Sequence, residues 1–161
     1  MNKLLVASVY VDHVRSKDWY SLQKKYLSHT TFDYDYLIYL NGSENFYDPA
    51  HILYKNTSFF STGQEAHIRG MNFIVDYFTS KNNYEYLLIL DSDAFPIKKW
   101  QLDLCNSMHH FDAAAIVRYE NLDTFAHPSV FFVNRKIATD LQFDRYPQKD
   151  RKSTRLNSSH T

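Results

Sequence analysis

The chain has 161 residues, which predicts a single domain with room for a sizeable core. Basic and acidic residues number 18 each, so the overall charge favours neither nucleic acid nor an anionic membrane as a partner. The one cysteine, Cys105, excludes internal disulfides and metal sites built from sulfur, and it is typical of a protein in a reducing, cytoplasmic compartment.

The first part of the chain predicts a strand, a helix and a second strand. Residues 4–11, LLVASVYV, are apolar and rich in β-branched side chains, and they favour a buried strand over a signal peptide because no small-x-small cleavage site follows. Residues 16–29 predict a helix that opens at Ser16. Its apolar face is predicted to comprise Trp19, Leu22, Tyr26 and Leu27. Residues 34–40 predict the second strand, and residues 44–61 predict a long loop.

The remaining elements complete an alternating pattern. Thr62 and Glu65 form a capping-box pair before a second helix. The apolar face of that helix is predicted to contain Ile68, Met71, Val75 and Phe78. Further strands are predicted at residues 86–90, 113–117 and 129–133, and a third helix at residues 98–110. This order predicts an α/β fold, a mainly parallel Rossmann-like sheet with helices on both faces, and no apolar run reaches the roughly 20 residues of a transmembrane segment.

Two aspartates follow one of these strands directly, in the stretch YLLILDSDAFP. Residues i and i+2 of an extended segment point to the same side, so Asp91 and Asp93 are expected to face one site at the carboxyl end of the strand, where α/β sheets bind ligands. Two close carboxylates are neutralised best by a divalent cation, and Mg²⁺ or Mn²⁺ then keeps positions free for phosphate oxygens. The pair therefore predicts a metal and diphosphate site. The alternative is that Ser92 and Asp93 only form a turn and cap a helix.

In this context the chain resembles the nucleotide-sugar-dependent glycosyltransferases of the A-type fold, of the family-2 kind. These enzymes carry a DXD motif at the end of an apolar strand preceded by a helix, as EAHIRGMNFIVDYFTSKNNYEYLLILDSDAFP, residues 65–96, does here. The resemblance covers about residues 3–137. It implies Mn²⁺- or Mg²⁺-dependent transfer of a sugar from a nucleotide-diphosphate donor to a glycan or lipid-linked acceptor, in surface glycan synthesis.

The resemblance also implies roles for single residues. The nucleoside pocket of that family corresponds here to Val9, Tyr10, Val11 and Asn41. The family often has an acidic residue where Asn41 stands, so this position departs from the pattern. Asp93 corresponds to the direct metal ligand, and Asp91 to a contact with ribose or metal-bound water. Arg69 and Asn72, on the helix before the motif, are either nucleotide contacts or part of a solvated face. No catalytic base is assigned, because in the family it lies beyond the sixth element.

Two other functions stay open at this point. Phosphatases of the haloacid dehalogenase type also end an apolar strand in Asp-x-Asp and use the first aspartate as the nucleophile. Their motif usually continues with Gly-Thr or a similar small pair, where this chain has Ala94-Phe95-Pro96. The second alternative is a fragment that binds a nucleotide without catalysis. Glycine-rich phosphate loops are not expected, because the three glycines are scattered along the sequence.

The last twelve residues differ in character from the rest. Residues 150–161, DRKSTRLNSSHT, have Leu156 as their one apolar residue, and they resemble the translation of a sequencing-library adapter. We therefore expect the N-terminal portion of a glycosyltransferase domain at residues 1–149, cut short near Lys149, followed by a non-native or disordered tail.

Overall fold

The computed structural model describes residues 3–30, 33–57, 63–96, 110–120 and 123–143. The strands in these ranges are β1 (Leu4–Val11), β2 (Tyr34–Asn41), β3 (Ile52–Asn56), β4 (Tyr86–Asp91), β5 (Ala113–Glu120) and β6 (Asp123–Asn134). The helices are α1 (Ser16–Leu27), α2 (Gly63–Ser80) and the short α3 (Arg135–Ala138). In this part of the chain, no helix combines the length and the hydropathy that a bilayer span requires.

All six strands form one sheet in the order β3-β2-β1-β4-β6-β5. The first four of these positions are parallel, with β1 hydrogen-bonded to both β2 and β4. β6 runs antiparallel to β4, and β5 runs antiparallel to β6. The predicted mainly parallel α/β sheet is therefore confirmed, with an antiparallel pair added at one side.

The helices cover both faces of the sheet because successive side chains of a strand point to opposite sides. Val6 of β1 belongs to the core cluster that contains Tyr20 of α1. Ala7, the next residue, belongs to the opposite cluster, which contains Ile74 of α2. The continuously apolar sequence of the central strands follows from this double burial, as predicted.

α2 lies unusually close to the sheet at Gly70. A Cβ atom added to Gly70 would lie 2.7 Å from Cγ2 of Val9 and 3.0 Å from Cδ1 of Tyr39. Real Cβ atoms do not approach other atoms that closely, so glycine at this position sets the distance between helix and sheet.

The predicted apolar face of α1 is only partly right. Tyr20, Gln23 and Leu27 are buried, whereas Leu22 is 36% exposed. The helix begins at Ser16 as expected, but the Ser16 hydroxyl donates to the carbonyl oxygen of Val11 at 2.7 Å. The error has a physical cause, because a polar side chain, Gln23, is held in the core by hydrogen bonds that apolar periodicity does not detect.

The predicted long loop and the last two predicted strands also change. Residues 52–56, inside the predicted loop, form β3, an edge strand whose side chains are half-buried or exposed and which therefore lacks a continuous apolar run. β6 begins at Asp123, before the predicted start. Its pairing with β5 shifts register between Ala115 and Ile116, and Pro128, which has no N–H to donate, falls in the unmatched stretch.

Several predictions fall on residues outside the described ranges. They are the capping residue Thr62, the helix at residues 98–110 apart from His110, Cys105 within it, and the tail at residues 150–161.

Candidate functional site

The carboxyl ends of the four parallel strands meet at one edge of the sheet. Val11, at the end of β1, is aligned with Asn41 of β2, which is in turn aligned with Asn56 of β3. On the other side of β1, Asp91 of β4 is aligned with Val9. Candidate residues from three separate strands are thus brought to the edge where open α/β sheets bind ligands. We call this side of the sheet the carboxyl edge.

The chain turns immediately after Asp91. The backbone N–H of Ala94 donates to the carbonyl oxygen of Asp91 at 2.9 Å, and Ser92 and Asp93 form the turn between them. The argument that Asp91 and Asp93 share a direction because the segment is extended is therefore wrong, since only Asp91 belongs to the strand. The Asp91 side chain is one quarter exposed and Asp93 is exposed. Their role as metal ligands stays a prediction.

His67 brings α2 to this turn. Its Nε2 atom lies 3.5 Å from Oδ1 of Asp91. His67 is in the second turn of α2. The C-terminal end of α2 lies beside Tyr84, just before β4, because Arg135 bonds the carbonyl oxygens of both Phe78 and Tyr84. The N-terminus of the helix therefore faces the carboxyl edge. The positive end of the helix dipole therefore adds positive potential at this edge, which favours anionic groups.

The donor set at the turn suits a hard cation that also binds substrate oxygens. Among the described residues, no cluster of three or more histidine, cysteine or acidic side chains is placed to hold a metal. Asp91 and Asp93 offer carboxylate oxygens, and Mg²⁺ or Mn²⁺ is typically held by one or two carboxylates together with phosphate oxygens and water. The residues present fit such an ion better than a zinc or calcium site enclosed by protein ligands.

The three candidate residues of β1 differ in where their side chains lie. Val9 is 5% exposed and packs beneath α2, and Tyr10 is fully buried. These two residues therefore offer a nucleoside almost no contact area, from side chain or backbone. Val11 is 40% exposed, so its side chain is accessible at the carboxyl edge.

Asn41 links three elements. Its Nδ2 donates to the carbonyl oxygen of Ala66 in α2 at 3.3 Å, and its Oδ1 accepts from Nδ2 of Asn56 at 3.0 Å. Both ends of the amide are thus engaged within the protein, which favours a bracing role beside the expected nucleoside contact.

An acidic group does lie against the end of β2, but it belongs to Asp12, the residue after β1. The Asp12 carboxylate accepts from the backbone N–H of Ser43 at 2.8 Å, from the Ser43 hydroxyl at 3.2 Å and from the N–H of Glu44 at 3.3 Å. A Cβ atom on Gly42 would lie 2.1 Å from Oδ1 of Asp12, so this approach requires glycine. The departure noted at Asn41 is therefore accompanied by a carboxylate supplied by the residue after the neighbouring strand.

The two candidate residues on α2, Arg69 and Asn72, lie in different environments. The side chain of Arg69 is 63% exposed, and its Nη2 lies 3.9 Å from Oε1 of Glu65. Asn72 instead donates to the carbonyl oxygen of Phe143 and accepts from its N–H, both at 2.9 Å. Asn72 is thus a brace for the chain after α3, and the suggestion that it contacts a nucleotide is not supported by its position.

Sequence reasoning missed Asp12, Gln23 and His67. Asp12 carries a usable signal, because it directly follows an apolar strand, as Asp91 ends another. Gln23 and His67 lie on helices amid mixed residues, and only the packing of those helices brings them to the turn.

Comparisons with known proteins bear on the fold alone. No family model matches the sequence, and a search of the curated proteins finds no match. TarS from S. aureus is similar in structure, with a TM-score of 0.59 and 13% identity over 87% of this chain and 29% of that chain. TarS residues 1–349 in complex with UDP-GlcNAc give a TM-score of 0.55 and 13% identity, over 87% of this chain and 47% of that one.

A third similar structure is the mannosyltransferase PcManGT from Pyrobaculum calidifontis, in complex with GDP-Man and Mn²⁺. Its TM-score is 0.56 at 10% identity, over 84% of this chain and 46% of that chain. This chain therefore spans less than half the length of each of the three structures. At these identities the similarity establishes a Rossmann-like fold of the kind found in glycosyltransferases.

Proposed function

We propose that this chain binds a nucleotide-diphosphate sugar through a Mn²⁺ or Mg²⁺ ion held by Asp91 and Asp93, as the donor-binding part of a glycosyltransferase. The observation that carries the proposal is the turn after β4, which presents the two carboxylates at the carboxyl edge. The fold shared with a mannosyltransferase solved with GDP-Man and Mn²⁺ supports it.

The residues around the turn have complementary roles in this proposal. When bound, the cation would stabilise the charge that develops on the departing diphosphate. His67 contacts Asp91 and restricts the orientation of its carboxylate. Arg69, exposed on α2, would add positive charge for the diphosphate. The side chain of Val11, accessible at the carboxyl edge, would bound the nucleoside end.

The sugar would pass to a hydroxyl of a glycan or lipid-linked acceptor, in the synthesis of a surface glycan in the cytoplasm. Donor binding is the step assigned to this chain, and no residue is assigned as the base. The haloacid dehalogenase alternative predicts a different reaction, hydrolysis of a phosphomonoester with Asp91 as nucleophile.

Thermal unfolding with UDP or GDP, with Mn²⁺ or with EDTA, tests the proposal. A nucleotide at about 100 times its dissociation constant should raise the melting temperature by roughly 5–10 °C. The shift should require Mn²⁺ and should disappear in Asp93→Ala. The matched control is Asp76→Ala, which removes an exposed carboxylate from α2 and should keep the shift.

Two outcomes would overturn the proposal. One is a nucleotide shift of the same size in EDTA or in Asp93→Ala. The other is phosphomonoester hydrolysis that Asp91→Ala abolishes, which would establish the phosphatase instead.

A further inference from the structure

Both ends of the turn after β4 are held by one buried side chain of α1. Gln23 is fully buried, and its Nε2 donates to the carbonyl oxygen of Asp91 at 2.7 Å and to that of Ala94 at 2.6 Å. These are the two residues that the turn hydrogen bond joins. Ser92 and Asp93 therefore project from a loop whose first and last carbonyls are fixed to the core.

The other end of the Gln23 amide is fixed as well. Its Oε1 accepts from the Tyr10 hydroxyl at 2.7 Å, from the Tyr36 hydroxyl, and from the Ser8 hydroxyl at 3.3 Å. Burial raises the pKa of both Tyr10 and Tyr36 well above the ordinary value, which keeps the two phenols protonated as donors. The amide is thus oriented with its oxygen toward the hydroxyls and its nitrogen toward the turn.

Few side chains could replace glutamine here. An amide NH₂ group carries two hydrogens on one nitrogen, one for each carbonyl, whereas an ionised glutamate has none. An apolar side chain of similar volume would suit burial better but would leave two carbonyls and three hydroxyls without this partner. A fully satisfied polar network in a core specifies one local arrangement more than it adds stability, and the arrangement specified here is that of the turn.

We propose that Gln23 is the positioning residue of the cation and diphosphate site: it holds the turn that carries Asp91 and Asp93 by bonding backbone carbonyls and not the carboxylates. This rests on the function proposed above. It predicts that the affinity for Mn²⁺ with a nucleoside diphosphate depends on a side chain buried beneath the site. Residues that orient metal ligands typically change metal affinity about 10- to 100-fold when they are replaced.

The test uses the full chain with two variants. Gln23→Glu keeps the acceptor for the tyrosine hydroxyls and leaves at most one donor for the two carbonyls, whereas Gln23→Met removes both acceptor and donors. Mn²⁺ with UDP or GDP is titrated calorimetrically below the melting temperature of each variant. In parallel, hydrogen exchange of the Ala94 amide reports directly on the turn bond to Asp91. The matched control, Asn134→Leu, removes a buried amide that bonds Asp112 and Lys136 beside the opposite end of β4.

The expected result is an affinity about 10- to 100-fold weaker and a faster Ala94 exchange in both Gln23 variants, with neither change in Asn134→Leu. Equal affinity in the wild type and the Gln23 variants, or Ala94 exchange that follows global stability alone, would overturn the positioning role. If the wild type binds no Mn²⁺ with nucleotide while the Gln23 variants still show faster Ala94 exchange, the proposed function and the ligand part of this inference are overturned. The role of Gln23 in holding the turn would then still be established. If one variant fails to fold, the other decides the result.

Discussion

The two edges of the sheet are both polar, but they use their polar groups differently. At the amino edge, where β1 and β4 begin, Arg135 donates to the carbonyl oxygens of Tyr84, Phe78, Thr79 and Lys81. Nearby, Nζ of Lys3 lies 3.0 Å from Oδ2 of Asp35, which also accepts from the Tyr84 hydroxyl. These contacts tie the ends of helices and strands together.

At the carboxyl edge the charged side chains are exposed, and the backbone carbonyls of the turn are hydrogen-bonded from the core. Arg69 has a side chain that is 63% exposed, and Asp93 is exposed in a turn whose carbonyls are held from below by Gln23. A charged side chain that donates to backbone carbonyls stabilises the fold, whereas the proposed function assigns the exposed charges of the carboxyl edge to a ligand. Substitutions at the two edges should therefore separate stability from binding.

The largest effect on stability is expected from Arg135→Met. It removes the donors to four carbonyls at the end of α2 and before β4. A hydrogen bond to a charged group contributes about 1.5–3 kcal/mol, and the four contributions do not add in full because they share one guanidinium. We expect the free energy of unfolding to fall by about 3 kcal/mol, measured by urea denaturation. Binding of nucleotide with Mn²⁺ by the folded fraction should be unchanged, and a loss of that binding would contradict the separation of the edges.

The second effect concerns the contact of α2 with the sheet. Gly70→Ala places a Cβ 2.7 Å from Val9, and overpacking of this kind costs about 1–3 kcal/mol, against which the better helix propensity of alanine returns about 1 kcal/mol. We expect a net loss of about 0–2 kcal/mol in urea denaturation. The control is Gly63→Ala in the same helix, where an added Cβ meets nothing within 4 Å. Equal effects of the two substitutions would show that the close approach is not limiting.

The third effect is a loss of stability as the pH becomes acidic. Burial lowers the pKa of His51, whose ring lies 5.0 Å from that of Tyr36, so the unfolded chain takes up a proton that the folded chain resists. The contribution to stability is present above pH 6.5 and is lost as the pH falls below it, with a slope of at most about 1.4 kcal/mol per pH unit. Urea denaturation from pH 7.5 to 5 should show this slope, and His51→Phe should flatten it.

Lys3 contributes a pH dependence of the opposite sign. The pKa of Lys3 is raised, mainly by its hydrogen bond to Asp35, so its contribution is present below pH 10.5 and is lost as the pH rises above it. Lys3→Met should therefore change the alkaline limb of the stability profile and leave the slope between pH 7.5 and 5, which is assigned to His51, unchanged. An altered slope in that range in Lys3→Met would mean that Lys3 and His51 are coupled.

Much of the parallel half of the fold was predictable from the sequence, because its central strands are buried on both faces and so read as continuous apolar runs. β3 was not, since an edge strand is half-exposed and carries no such run. The antiparallel direction of β6 also could not be predicted, because an apolar run indicates burial but not direction.

The candidate site was predictable only where a strand delivers the residue. Asp91 ends a buried strand, so its place at the carboxyl edge followed from the pattern. The main interpretation treated the segment around Asp93 as extended chain, whereas the alternative of a turn at Ser92 and Asp93 is confirmed. The support of that turn could not be predicted, because it comes from Gln23, a helix residue 68 positions away from Asp91 in the chain. Contacts between elements distant in sequence leave no periodic signal in either element.

The smallest effect on stability, and the sharpest comparison, is expected from Arg69→Gln. Its contact with Glu65 is an i,i+4 pair at 3.9 Å, in which the Arg69 side chain is 63% exposed and the Glu65 side chain 14%. Pairs at this spacing contribute about 0.2–0.5 kcal/mol, so urea denaturation should show little change. Binding of UDP or GDP with Mn²⁺ should weaken measurably and depend less steeply on salt, because a cation beside the diphosphate is lost. Arg69→Lys, which keeps the charge, should retain the salt dependence. If Arg69→Gln destabilised the fold as Arg135→Met does while binding stayed intact, the carboxyl edge would be a structural edge like its counterpart.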